Sequence, residues 1–355
     1  MIEILSKKLL EYYDENKRDL PWRMNPNPYR IWVSEIMLQQ TRVSTVIPYY
    51  ENFLDALPRV EDLARADEEL LHKLWEGLGY YSRVRNMKRA AQQILEDHQG
   101  RLPESYEGLI QLQGIGPYTA GAIASIAFNK VVPAIDGNLL RIYSRLHCIE
   151  ESIDLGRVKK EVFALVLEDI SKDRPGDFNQ ALMDVGSSIC LPKNPKCHIC
   201  PIGEFCQAFK ENRQRDFPLR KIKAVQKKEN WTFIILEKRG KFLIKKRPPQ
   251  GLLAGLWEFL PFFSHLKEEE VKILIKEKGY TFKTIKELDS SQHVFSHKIW
   301  NMKAYLVEVE DQSLVMEDMS SYDSFCWASP EEIKEIYPFS SAMGKYVKEV
   351  LSDNR

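Results

Sequence analysis

Apolar residues recur at three- and four-residue spacing over positions 31–46, 70–74, 87–95, 120–128 and 158–170, the period of helices that bury one face. Proline and glycine punctuate these stretches at Pro21, Pro26, Pro28, Pro58, Gly100, Pro103 and Pro133. Residues 1–190 therefore read as a bundle of many short helices. Beyond 230 the texture changes. WTFIILEK (231–238), KFLIKKR (241–247) and MKAYLVEVE (302–310) are β-like, whereas EEEVKILIKEKG (268–279) and PEEIKEIY (330–337) are helical. The intervening run 211–230, ENRQRDFPLRKIKAVQKKEN, is charged and weakly patterned, as a linker is. The expectation is a multidomain chain: an all-α region over 1–210, a linker over 211–229 and an α+β domain over 230–355.

The 355 residues are 44% hydrophobic, enough to fill a sizeable core in each domain. The 51 basic and 51 acidic side chains cancel, so net charge points to no polyanionic partner, and any nucleic-acid surface has to be a local patch. No apolar run reaches the roughly 18 residues that span a bilayer, and residues 1–19 mix charges into a helical pattern without a secretory core. A soluble cytoplasmic protein with no membrane partner is expected. Four of the six cysteines, Cys190, Cys197, Cys200 and Cys206, crowd together while Cys148 and Cys326 stand apart, which in a reducing compartment favours metal ligation over disulfides.

The spacing C-x6-C-x2-C-x5-C sets four thiolates on one compact loop, as the four irons of a cubane cluster need. A structural zinc site usually takes two close cysteine pairs, and only Cys197 and Cys200 form one, so the spacing favours iron–sulfur. In LQGIGPYTAGAIASIAF (112–128), Gly114 and Gly116 precede a helix rich in small residues. Such a turn can offer backbone N–H groups to a phosphate, or be a plain helix–helix connection. Downstream, Asp136, Gly137 and Asn138 form a polar turn opening another helix, where an aspartate is ordinarily an N-cap. In LPWRMNPNPYRIWVSEIMLQQTRVSTVIPYY (20–50), a helix from about Tyr29 brings Ile31, Ser34, Glu35 and Leu38 to one side. The Glu35 carboxyl then sits among Trp32, Ile36 and Leu38. A carboxyl so held has a raised pKa and can act as a general acid. A solvated helix face is the plainer alternative for a single glutamate.

Taken in order, the Glu35 helix, the LQGIGPYTA hairpin, the Asp136 turn and the four-cysteine loop resemble the helix–hairpin–helix DNA glycosylase superfamily with its iron–sulfur loop. LPWR (20–23), SEIMLQQT (34–41), GLGYYSRVRN (77–86) and FNQALMDVGSSIC (178–190) resemble its MutY-type adenine glycosylase branch. The likeness continues through RPPQGLLAGLWEFLP (247–261) and HVFSHKIW (293–300).

This resemblance implies a monomeric, bacterial, nucleoid-associated repair enzyme that excises adenine mispaired with 8-oxoguanine or guanine in double-stranded DNA. It assigns Glu35 as the acid that protonates adenine, Asp136 as the carboxylate beneath the sugar, and Tyr118 and Asn138 as the groups that position them. Tyr118 stands where the endonuclease III-like branch carries a nucleophilic lysine, so base removal without an efficient lyase step is expected. A base in a duplex has to be flipped out to be reached. Gln40 and Tyr80 match the intercalating positions, and Trp22, Arg23, Leu38, Thr41 and Gln180 match substrate-pocket positions. By the same resemblance Gly114 and Gly116 are expected to contact the DNA backbone, and the four cysteines to hold a 4Fe-4S cluster. The C-terminal domain resembles a Nudix fold, yet FFSHLKEEEVKIL lacks the REx2EE run that holds magnesium. It is expected to recognise the lesion through Phe295, Ser296 and His297 rather than hydrolyse.

Two positions depart from the pattern: Gln113 where many relatives carry proline, and Gln180 where some carry glutamate. The rival readings are an endonuclease III-like glycosylase/lyase, a non-catalytic DNA-binding protein and, more weakly, a Nudix hydrolase. Tyr118, the Glu35 and Asp136 pair, and the missing metal box argue against them in turn.

Overall fold

The structure, a computed structural model, describes residues 2–24, 26–221, 225–310 and 325–352. Of the expected linker, residues 222–224 lie outside the described residues, as do 311–324 and 353–355 of the C-terminal region. The chain divides into two compact units, residues 1–66 with 86–222 and residues 67–85 with 223–355.

The first unit is helical among its described residues. Its core joins Leu9 and Tyr13 of the Ile2–Asn16 helix to Leu139, Ile142 and Tyr143 of Gly137–Leu146, Val158, Val162 and Val166 of Gly156–Asp169, and Phe178, Leu182 and Val185 of Pro175–Ser188. The 31–46 stretch is two helices, Pro28–Leu38 and Val43–Ala56, because the chain turns at residues 39–42. Asn27 caps the first, its side chain accepting from Arg30 N–H, with Pro28 opening the helix as its fixed φ favours. The charged run after 210 is anchored rather than loose up to residue 221. Phe217 is buried, its carbonyl accepts from Arg145 Nε at 3.1 Å, and Leu219 bridges Ser152. One aromatic side chain secures a stretch whose composition reads as linker. No helix among the described residues is long and apolar enough to cross a membrane.

The second unit is built on a mixed sheet of β1 (Lys227–Lys238), β2 (Lys241–Lys246), β3 (Trp257–Glu258), β4 (Leu260–Phe262), β5 (Phe282–Val294), β6 (Lys298–Val309) and β7 (Phe325–Ala328). The order is β3-β2-β1-β6-β5, with β4 pairing β1 and β7 pairing β2. β1 and β6 run parallel with Trp231 opposite Met302, and β5 and β6 form an antiparallel hairpin. Phe233 and Ile235 pack on one face with Trp300 and Met302, while Ile234 and Leu236 pack on the other with Tyr305 and Val307. Burial on both faces explains the unbroken apolar run in β1.

Residues 67–85 join this unit through specific contacts. Lys246 pairs with Glu69, Phe339 N–H donates to Glu76 at 2.8 Å, and Arg85 Nη1 donates to Ala254 O at 2.5 Å. The Tyr81 hydroxyl donates to Phe339 O at 3.3 Å.

Two glycines let helices of the first unit approach backbone closely. A Cβ on Gly121 would lie 2.3 Å from Pro133 O, and one on Gly176 would lie 2.7 Å from Ser125 O. Gly121→Ala should therefore lower stability in urea titration by about 1–3 kcal/mol. Gly156→Ala, where the space is open, should be near neutral.

Candidate active site

The Pro28–Leu38 helix is buried over most of its circumference, and that burial includes the Glu35 side chain, which is 4% exposed. The Tyr118 hydroxyl donates to its Oε2. Removal from water pushes the Glu35 pKa up to about 7, against the lowering effect of the Tyr118 bond, and Asp136 raises it further by its charge. Tyr118 enters from the start of the Pro117–Phe128 helix. That helix follows a turn in which Gly114 has φ +78° and a Cβ would meet the Cβ of Asn86 at 2.6 Å. Glycine is required there on both counts. Gln113 puts its backbone N–H to use, donating to Gln93 Oε1 at 2.8 Å, a bond that proline could not make.

Asp136 is both N-cap and cleft residue. Its Oδ1 accepts from the Asn138 and Leu139 N–H groups at 2.8 Å each, and Oδ2 accepts from Asn138 Nδ2 at 2.6 Å. Burial still raises its pKa, opposed by these bonds. Asn138 is held in turn by Arg141, whose Nη2 donates to Asn138 Oδ1 (2.8 Å) and Gly186 O (2.7 Å), while its Nε donates to Cys190 O (2.7 Å). Nothing larger than glycine fits at 186, where a Cβ would lie 2.5 Å from the Cβ of Asn138.

A cleft of about 660 Å³ brings together Trp22, Arg23, Glu35, Leu38, Thr41, Tyr118, Asp136, Asn138 and Gln180. Gln40 is exposed, with φ 59°, and is not among the cleft's lining residues. Arg23 lines the cleft with its guanidinium committed to Asp184 (2.8 and 3.1 Å), a buried carboxylate that also receives Arg18 Nε at 2.9 Å. Trp22 packs edge-on to Tyr50 at 5.3 Å. Sequence reasoning missed Arg18, Asp184, Arg141 and Arg145. The available signal for the last two was a pair of arginines four apart on the buried side of the Gly137–Leu146 helix.

Cys190, Cys197, Cys200 and Cys206 line one cavity together with Arg145. No three Cys, His, Asp or Glu side chains among the described residues converge as a single ion would need. Four thiolates around a shared space, one for each iron, suit a multi-iron cluster. Arg145, 2% exposed, donates from Nη1 to Cys190 Sγ (3.1 Å) and Leu191 O (2.9 Å), and its charge complements a thiolate-ligated, anionic cluster.

In the second unit Phe295, Ser296 and His297 form the three-residue turn between β5 and β6, closed by Phe295 N–H to Lys298 O at 2.8 Å. Phe295 is wedged edge-on between His293 (4.6 Å) and Trp300 (4.9 Å), and Ser296 and His297 are exposed. Tyr80 lines the same cavity as these three residues, about 310 Å³ in volume. Its backbone is left-handed (φ 49°) and its side chain is exposed.

Residues 33–166 match the HhH-GPD superfamily of base excision DNA repair proteins, 190–206 the iron–sulfur binding domain of endonuclease III and 231–349 the NUDIX domain. The fold class and four-iron cofactor expected from sequence are thus met, with Cys190, Cys197, Cys200 and Cys206 spanning the matched loop. Among solved structures, a thermostable thymine-DNA glycosylase is similar at TM-score 0.53 and 26% identity, over 59% of this chain and 96% of that one. The adenine DNA glycosylase of Arabidopsis thaliana is 36% identical over 81% of this chain, which spans 54% of that protein's length. That of Buchnera aphidicola subsp. Acyrthosiphon pisum is 37% identical over 86% of this chain and 87% of its own. Likeness at that level along nearly the full length of both proteins places this chain in the adenine DNA glycosylase family, as a DNA N-glycosylase of base excision repair.

Proposed function

We propose that the protein flips adenine from duplex DNA into the 660 Å³ cleft and hydrolyses its glycosidic bond when the opposite base is 8-oxoguanine or guanine. The observation that carries the reading is the pairing of a desolvated Glu35, whose pKa lies at about 7, with a hydrogen-bonded Asp136 in one cleft. Neutral Glu35 gives its proton to adenine N7, which turns the base into a leaving group, and the C1′–N9 bond breaks with its electron pair on the base. The Asp136 carboxylate, fixed by its three donors, stabilises the positive charge that develops on the sugar. Water then adds to C1′ and its proton returns to Glu35, leaving an abasic site. Tyr118 and Asn138 orient the two carboxyls, and an iron–sulfur cluster held by Cys190, Cys197, Cys200 and Cys206 would tie down the loop that carries them.

Among the described residues no lysine lines the cleft, and Tyr118 occupies the hairpin position, which supports hydrolysis without a covalent lyase step. For the opposite strand, the exposed Ser296 and His297 are suited to reading the N7–O8 edge, where guanine accepts a hydrogen bond and the oxidised base donates one. In the acidic run after LWEFLP, Glu270 accepts from Lys267 N–H at 2.7 Å, and Lys272 bonds Glu268 and Glu269. That pairing favours a recognition role over Nudix hydrolysis. Gln40 and Tyr80 serve as wedges, both exposed and both held in left-handed backbone. In this reading residues 1–210 form the catalytic region, 211–229 join it to the lesion-recognition domain at 230–355, and Gly114 and Gly116 lie against the DNA backbone. The protein acts as a monomer.

Glu35→Gln and Asp136→Asn should each abolish adenine release from A:8-oxoguanine duplexes while leaving binding largely intact. A near-native single-turnover rate in either variant would remove that residue from the mechanism. Because the acid works in its protonated form, the parent's single-turnover rate should fall as pH rises through about 7. Tyr118→Lys should gain strand cleavage and borohydride trapping, whereas the parent should leave only alkali-labile abasic sites. Efficient trapping by the parent would contradict the hydrolytic reading.

A further inference from the structure

Tyr80 stands on a loop whose backbone needs outside support. Gly77 (φ 100°), Gly79 (φ 71°) and Tyr80 (φ 49°) are all left-handed, and a bulky non-glycine residue stays there only where its surroundings over-determine it. The support comes from Arg83, in the first turn of the Ser82–His98 helix. Its Nη2 donates to Leu78 O at 3.1 Å and Gly79 O at 3.0 Å, and its backbone N–H donates to Tyr80 O at 2.9 Å. Its guanidinium lies over the rings of Trp75 (5.3 Å) and Tyr80 (5.8 Å). Trp75 Nε1 adds a bond to Gly79 O at 3.1 Å. Burial lowers the Arg83 pKa to about 10, which leaves it charged at neutral pH.

We propose that Arg83 is a positioning residue for duplex opening: its Nη2 donors and its flat face lock the 77–80 loop so that the Tyr80 ring, 48% exposed, meets the base stack as a preformed wedge. This rests on the reading of Tyr80 as a wedge. The stacking is what requires arginine. Lysine would keep the charge and could donate to the same carbonyls, but it has no planar face to lie against the Trp75 and Tyr80 rings. A guanidinium acting on a DNA phosphate would behave differently, since lysine would largely replace it, and its loss would reduce the salt slope of binding by about one.

The test uses the full cluster-bearing chain and duplexes with adenine, or 2-aminopurine in its place, opposite 8-oxoguanine and opposite guanine. Arg83→Lys, Tyr80→Ala and the double variant are compared by 2-aminopurine fluorescence, which rises as the base leaves the stack, and by single-turnover excision. Each single change should slow extrusion by roughly fivefold to thirtyfold, the scale of one or two lost hydrogen bonds. The double variant should match Tyr80→Ala alone, because Arg83 acts through Tyr80, and the salt slope should be unchanged. Parent-like extrusion by Arg83→Lys, effects that multiply in the double variant, or a reduced salt slope would each overturn the positioning role. Tyr80→Ala with parent extrusion would overturn the wedge reading itself, whereas a Tyr80→Ala defect beside a parent-like Arg83→Lys overturns only the role of Arg83. If Arg83→Lys lowers the thermal midpoint too far to compare, Trp75→Phe, which removes the donor to Gly79 O and keeps a smaller aromatic ring beneath Arg83, should give a smaller extrusion defect in the same direction. A parent-like Trp75→Phe would then count against the locked loop.

Discussion

In the proposed mechanism Glu35 has to stay out of water while Asp136, in the same cleft, has to stay charged, and much of the first unit serves that asymmetry. Glu35 is packed into the middle of a helix, with the Tyr118 hydroxyl as its donor. Asp136 begins a helix, where backbone N–H groups point at it without further cost. Burial raises both pKa values, but at Asp136 three hydrogen bonds oppose the rise where Glu35 has the Tyr118 bond, a difference in environment of the kind that separates acid and electrostatic roles in a single site. The arrangement carries a stability penalty. A carboxyl whose folded pKa is raised destabilises the native state once the pH exceeds its unfolded value, and the penalty is complete above the folded value of about 7. A site that kept both groups solvated would be more stable at neutral pH and would have no acid.

The helix that Asp136 opens is also the link to the iron–sulfur loop. Arg141 reaches from Asn138 to the Cys190 carbonyl, and Arg145, one turn further on, reaches Cys190 Sγ and the backbone that follows it. Both guanidiniums are buried and spread their donors over several carbonyls, so moving the cysteine loop would strand buried charge. A cluster held by these cysteines would brace the end of the same helix whose N-terminus fixes the Asp136 carboxylate.

Much of this was legible in the sequence wherever one periodicity or one local spacing decided the outcome. The buried helix around Glu35 and the four-cysteine loop belong to that class, and so does the hairpin with its obligatory Gly114. β1 was legible for the same reason, because burial on both faces leaves an unbroken apolar run. β5 was not, since FKTIKELDSSQHV buries few positions and its pairing with β6 supplies the order that its side chains do not. Phe217 hid within a charged stretch, and the attachment of residues 67–85 to the second unit depends on partners from 169 to 263 positions away, such as Ala254 for Arg85 and Phe339 for Glu76. Arg83 and Arg141 read as surface charge until the carbonyls they serve are known.

The most direct test of the account is the titration of Glu35 itself, followed as the difference in carboxyl infrared absorption between the parent and Glu35→Gln across pH 4 to 9. The account predicts a protonated carboxyl that persists through pH 6 and is lost with a midpoint near 7. A Glu35 that ionises in the ordinary carboxylate range, at about 4, would contradict it.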